Sequence, residues 1–175
     1  MINKLVLCGA CALLMLSGPA IAQKAAAPND AEIAHIAYTA GQLDEDAGKQ
    51  ALARSHNKAV RSFAETMIRD HGAVNAQALA LVKKLHVTPQ DNATSEALTK
   101  QAKEKARELG KLSGSAFDRA YIQNEVAFHR TVNGALKTTL IPSAHSTELK
   151  SLLETGLTLF EEHQKHAEQL AAKLR

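Results

Sequence analysis

Long stretches of this chain repeat apolar residues in steps of three and four, and proline interrupts them only at their ends. From Val60 the row continues through Ala64, Met67, His71, Val74, Ala78, Leu81 and Leu85, the spacing of one buried helical face. Similar rows run through Ile33, Ala37, Ala40, Asp44, Ala47 and Ala51, through Ile122, Glu125, His129, Val132 and Leu136, and through Leu149, Leu153, Gly156, Phe160, His163, Ala167, Leu170 and Leu174. Proline lacks the N–H that a helix interior needs, and Pro28, Pro89 and Pro142 fall between these rows. No segment alternates as a strand does. The spacing predicts helices over about 30–54, 58–86, 96–109, 116–139 and 147–173.

Local signals set the ends. Asn29 or Asp30 can cap the first helix and Ser55 to Asn57 supply caps at the first break. Thr94 or Ser95 can begin the short charged helix, and Ser115 with Asp118 has the spacing of a capping box. The short break near residue 55 makes the first two long helices antiparallel neighbours. The segment from 87 to 114 is far longer than an antiparallel turn requires, so it is expected to return the chain to the opposite end of the bundle. The expected fold is therefore all-α, a ferritin-like four-helix bundle with a long crossover containing an extra short helix.

Ahead of the helices, Lys4 precedes the apolar run "LVLCGACALLML", and Ala20-Ile21-Ala22 places small residues where a signal peptidase reads. Residues 1–22 are expected to be a signal peptide, leaving residues 23–175 as a single domain. The run is shorter than the roughly 20 residues of a spanning helix, and neither Cys8 nor Cys11 has lipidation spacing. The expected protein is exported and periplasmic, without stable membrane insertion after cleavage; peripheral association with the outer membrane is the alternative. Both cysteines leave with the signal, which excludes disulfides and thiol chemistry. The formal charge is +3, basic and acidic residues are intermixed, and there is no Trp, which argues against nucleic-acid binding.

Each long helix carries polar residues in its apolar row: Asp44, His71, Glu125 with His129, and His163. In a crossover topology all five lie within roughly 9 Å along the bundle axis; in an up-down-up-down bundle His163 moves away from the others. Imidazoles and carboxylates converging in a bundle suit iron, copper, zinc or manganese. The competing reading is a set of core polar groups satisfied by one another, which would set the register of the bundle. The paired Glu-x-x-His motifs of di-iron bundles are absent, which weighs against an oxidase. No Ser-x-x-Lys, Gly-x-Ser-x-Gly or phosphate loop is present, and no catalytic residue is assigned. His35, His56, His86 and His145 sit near helix ends, where solvated or capping roles are expected; His166 could join the site or reach solvent. Gly48, Gly72 and Gly156 are expected at close helix approaches or beside the polar cluster.

The segments "FAETMIRDHGAVNAQAL", "FDRAYIQNEVAFH" and "EEHQKHAEQL" resemble those of the domain-of-unknown-function 4142 family, exported bacterial proteins often labelled outer membrane proteins. The resemblance spans about residues 30 to 174 and implies a ferritin-like fold. It places the family's recurring positions on Asp70, His71, Phe117, Asp118, Tyr121, His129 and His163, with Asp44 standing where the family usually has an acidic residue. It implies no settled activity. Two functions remain open: a metal-binding bundle, for metal handling or stress protection, and a metal-free module that contacts an envelope protein.

Overall fold

The computed structural model describes residues 27–174, so the expected signal peptide lies outside the described residues. Six helical segments follow one another: α1 (Asp30–Arg54), α2 (Lys58–Lys84), α3 (Ala93–Leu109), α4 (Gly114–Ala135), α5 (Ile141–Ser143) and α6 (Thr147–Lys173), with a π turn, Leu136–Leu140, joining α4 to α5.

Capping side chains begin most of them. Asn29 accepts from the N–H groups of Ala31 and Glu32, and Glu32 returns the bond to the Asn29 N–H. Asn57 does the same for the first turn of α2. The cap of α3 is Asn92, not Thr94 or Ser95, so this helix begins at Ala93; Ser95 sits inside the first turn and bonds back to Asn92. At its other end α2 stops at Lys84, short of the expected 86, because His86 turns into the left-handed region at φ 52°.

The expected capping box at Ser115 does not form. The helix starts at Gly114 instead, and the Asp118 carboxylate accepts a hydrogen bond from Ser55 Oγ at 2.5 Å. A side chain free to cap is thus used to tie the start of α4 to the α1–α2 corner. Pro142 also departs from expectation, since it lies in helical backbone beyond 139. The π turn widens the preceding helix, so that the Ile141 N–H reaches the Leu136 carbonyl, and proline is tolerated in the first turn of the segment that follows.

Each of the four long helices runs antiparallel to the two long helices it mainly packs on. α1 packs on α2 and α4, and α6 packs on α2 and α4. The helix α3 climbs beside α1: His35 Nδ1 bonds Ser95 Oγ at 3.0 Å near one end, and Gln50 donates to the Ala106 carbonyl near the other. This short helix is itself the crossover, and it makes α2 and α4 parallel. At the opposite end of the bundle the Asp30 carboxylate accepts from the N–H groups of His145 and Ser146, joining the starts of α1 and α6. The connection is ferritin-like.

Two apolar clusters fill the interior. One contains Val60, Phe63, Met67, Phe117, Tyr121 and Leu170, and the other Ile33, Ile36, Leu136, Leu149, Leu153 and Phe160. Between them lies a buried polar layer.

Candidate metal centre

The layer contains Asp44 from α1, His71 from α2, Glu125 and His129 from α4, and His163 from α6, each at most 4% exposed. All five residues expected from the interrupted rows meet there. The three imidazoles form a near-equilateral set, with ring centroids 5.6 Å (His71–His129), 5.4 Å (His71–His163) and 5.5 Å (His129–His163) apart. One ligand atom from each of them lies within 4.8 Å of the others; the same holds for Asp44, Glu125 and His129, so His129 belongs to both groups.

Outer contacts orient two of the rings. His129 Nδ1 is 3.1 Å from the Glu125 backbone carbonyl, one turn earlier on the same helix. A carbonyl only accepts, so this nitrogen carries the proton and Nε2 is left as a lone pair. His163 Nε2 is 3.0 Å from Asp70 Oδ2. That carboxylate also accepts from Arg69 Nε at 2.7 Å and is held below its usual range: burial opposes this, but the Arg69 and His163 contacts outweigh it. The ionised Asp70 puts the His163 proton on Nε2 and leaves Nδ1 free. His71 stacks on Phe160 at 4.5 Å with an interplanar angle of 12°, which clamps the third ring.

The free atoms have no hydrogen-bond partners. These are both Asp44 oxygens, both His71 nitrogens, both Glu125 oxygens, His129 Nε2 and His163 Nδ1. Asp44 Oδ2 and His71 Nε2 are 2.6 Å apart. Asp44 Oδ2 is also 3.5 Å from His129 Nε2. Buried polar atoms without partners each cost of order 1–3 kcal/mol, and His129 Nε2 and His163 Nδ1 are two such atoms.

The charge state follows from burial and proximity. Burial pushes the Asp44 carboxyl up, yet His71 and His129 hold it well below the usual carboxylate range. Burial and then the Asp44 charge push Glu125 well above its usual range. Burial lowers His129 despite the attraction of Asp44, and burial brings His163 down to about 4 although Asp70 opposes it. At neutral pH the layer thus holds an ionised Asp44 and neutral rings at His129 and His163, and Glu125 keeps its proton to higher pH than an ordinary carboxyl. Neutral imidazoles and a carboxylate are the forms that bind a cation.

His166 points away from the layer: it is exposed and lies edge-on to Phe63. His35 serves the crossover through Ser95 and Asp91. The sequence reading missed Asp70 as the partner of His163. Its signals were its place beside His71 and among the recurring positions of the family the sequence resembles, but neighbouring helical residues point in different directions, so the link to α6 exists only after packing. Gly41 was also missed: a Cβ there would lie 2.5 Å from Asn75 Oδ1, whereas Gly48 does mark a close approach, 2.9 Å from Ile68 Cγ1 and 3.1 Å from the Ala64 carbonyl. Gly72, with no neighbour closer than 3.8 Å, is not at a close approach.

A solved structure described as that of a secreted DUF305 protein from Streptomyces coelicolor is similar to this one at a TM-score of 0.69 and 13% identity, over 82% of this chain and 91% of the other. At that identity the likeness shows the fold alone. No curated protein matches the chain. The model of the domain of unknown function DUF4142 matches residues 16–170, in agreement with the resemblance of the His71, Tyr121 and His163 segments, and the chain belongs to that family.

Proposed function

We propose that this protein is an exported, periplasmic bundle that binds one divalent transition metal ion between its helices, in metal handling or protection against metal stress. His71, His129 and His163 supply nitrogen ligands, Asp44 supplies an oxygen, and Glu125 stands beside them as a further oxygen ligand that must give up its proton to bind. The observation that carries this reading is the outer contact of two rings. Metal-bound histidines characteristically donate their second N–H to a carboxylate or a backbone carbonyl, and His163 does so to Asp70 and His129 to Glu125. Both remaining lone pairs are buried and unpartnered. Imidazole with carboxylate suits iron, copper, zinc and manganese alike, and the proposal extends to all four.

Export is supported by the signal-like leader, and among the described residues no helix is long and apolar enough to cross a membrane. The test is elemental analysis of residues 23–175 purified from the periplasm without a tag, followed by titration with each of the four metals. Stoichiometric metal that is lost in His71→Ala and His129→Ala is the expected result. If neither the purified protein nor the titrated one holds metal, the layer is a core network and the search turns to an envelope protein partner.

A further inference from the structure

The polar layer adjoins two cavities, and they meet different members of it. The larger, of about 910 Å3, is lined by His71 and His129. The smaller, of about 420 Å3, lies between α1, α3 and α4 and is lined by Asp44 and Glu125. Leu98, Phe128 and Thr131 line both and so form the wall between them.

The smaller cavity follows from how the crossover helix is held. His35 Nδ1 lies 3.0 Å from Ser95 Oγ at one end of α3, and Gln50 and Arg54 donate to the Ala106 and Leu112 carbonyls at the other. Between Ser95 and Leu109 no residue of α3 is buried, and the helix packs on α1 far more than on α4. Its middle therefore stands away from α4, and small side chains, Ala102 on α3 and Ala127 on α4, face the gap. The rim is of mixed charge, with Asp46 on α1 and Lys103 and Lys105 on α3, so the charge that draws a cation is Asp44 at the inner end. In the larger cavity the lining along α1 runs from Glu32 through Ala37 and Ala40 before the layer is reached, and apolar walls offer nothing in place of the water that a divalent ion must shed. Carboxylate oxygens do offer it. Asp44 and Glu125 are 1% and 0% exposed, so the inner end is shut, and the weakly packed middle of α3 is the element beside it that can move aside.

We infer that the metal ion enters and leaves the centre through the cavity between α1, α3 and α4, past Asp44 and Glu125, with the middle of α3 as its cover. The inference rests on the metal reading above. It makes the two carboxylates the first groups to meet the ion and the imidazoles the groups that take it afterwards.

Stopped-flow mixing of the metal-free chain (residues 23–175) with zinc, and of the zinc-loaded chain with excess chelator, tests it. Ala102→Leu and Ala127→Leu each narrow the smaller cavity without touching a ligand, and Ala37→Leu narrows the larger one. Leucine is nearly as good a helix former as alanine. A barrier on the route slows entry and exit alike and leaves the dissociation constant unchanged. The expected result is zinc uptake and release both at least tenfold slower in Ala102→Leu and in Ala127→Leu, an equilibrium affinity within twofold of the wild type, and wild-type rates in Ala37→Leu. Wild-type rates in both α3–α4 variants overturn the route while leaving the metal reading intact, as does slowing confined to Ala37→Leu. If the wild-type chain takes up no zinc, the metal reading fails as stated and the route falls with it.

Discussion

At the scale of single residues, the centre depends on groups that never touch the proposed ion. Asp70 holds His163 Nε2 at 3.0 Å, so Asp70→Ala frees the ring to rotate and to change tautomer. Outer-contact losses typically cost 10–100-fold in metal affinity, and a fall of roughly that size is expected in a competition titration, with the helical signal unchanged. The metal-free protein also has a defined pH profile. Burial brings His163 down to about 4 and lowers His129, so the unfolded chain takes up protons that the fold keeps off these rings. The contribution of His163 to stability therefore rises with pH between about 4 and 6.5 and is complete above the unfolded value. Burial and the Asp44 charge shift Glu125 the other way, so its contribution is present below the unfolded carboxyl value and is lost as pH rises through the raised one. Chemical denaturation at a series of pH values should show stability gained between about pH 4 and 6.5 in Glu125→Gln, in which the histidine effect stands alone, and a smaller gain in the wild type.

At the scale of elements, glycines in helices have opposite effects depending on what faces them. A Cβ at Gly41 would meet the buried Asn75 side chain at 2.5 Å, and Asn75 is itself tied to Glu45 by a 3.2 Å hydrogen bond. Gly41→Ala is expected to destabilise by about 1–3 kcal/mol, the usual cost of overpacking. Gly134, in α4, has nothing within 4 Å of its would-be Cβ, so Gly134→Ala should stabilise by about 0.5–1 kcal/mol through helix propensity. Urea unfolding of the two variants separates them by sign. The same contrast explains what was legible in the sequence. Helix α1 was readable because its cap, its apolar row and its end at a cluster of capping residues all agree. The start of α4 was not, because Asp118 bonds Ser55 from a distant corner, a partner that local spacing cannot name. The π turn before Pro142 was equally out of reach: nothing in "ALKTTLIP" marks a shift from α to π hydrogen bonding.

For the whole molecule, the proposed ion joins four helices at once, so binding is linked to global stability. A metal at a hundred times its dissociation constant adds about 2.7 kcal/mol to folding, which for a chain of this size raises the melting temperature by roughly 5–10 °C. His71→Ala and His163→Ala should abolish that shift while leaving the metal-free protein folded, a result readable by thermal unfolding with and without the ion. The sequence by itself determined the all-α class, the lengths of the long helices and the polar residues on their inner faces, because these depend on periodicity and proline within one segment. The long segment before α4 also implied the crossover, since chain length limits where a helix can begin. Only the tertiary structure decided that Asp70 serves His163, that Gly41 makes room for Asn75, and that a cavity beside α3 reaches Asp44 and Glu125. Those features arise where side chains from different helices meet, and the distance between helices is set by packing rather than by any pattern along a single one.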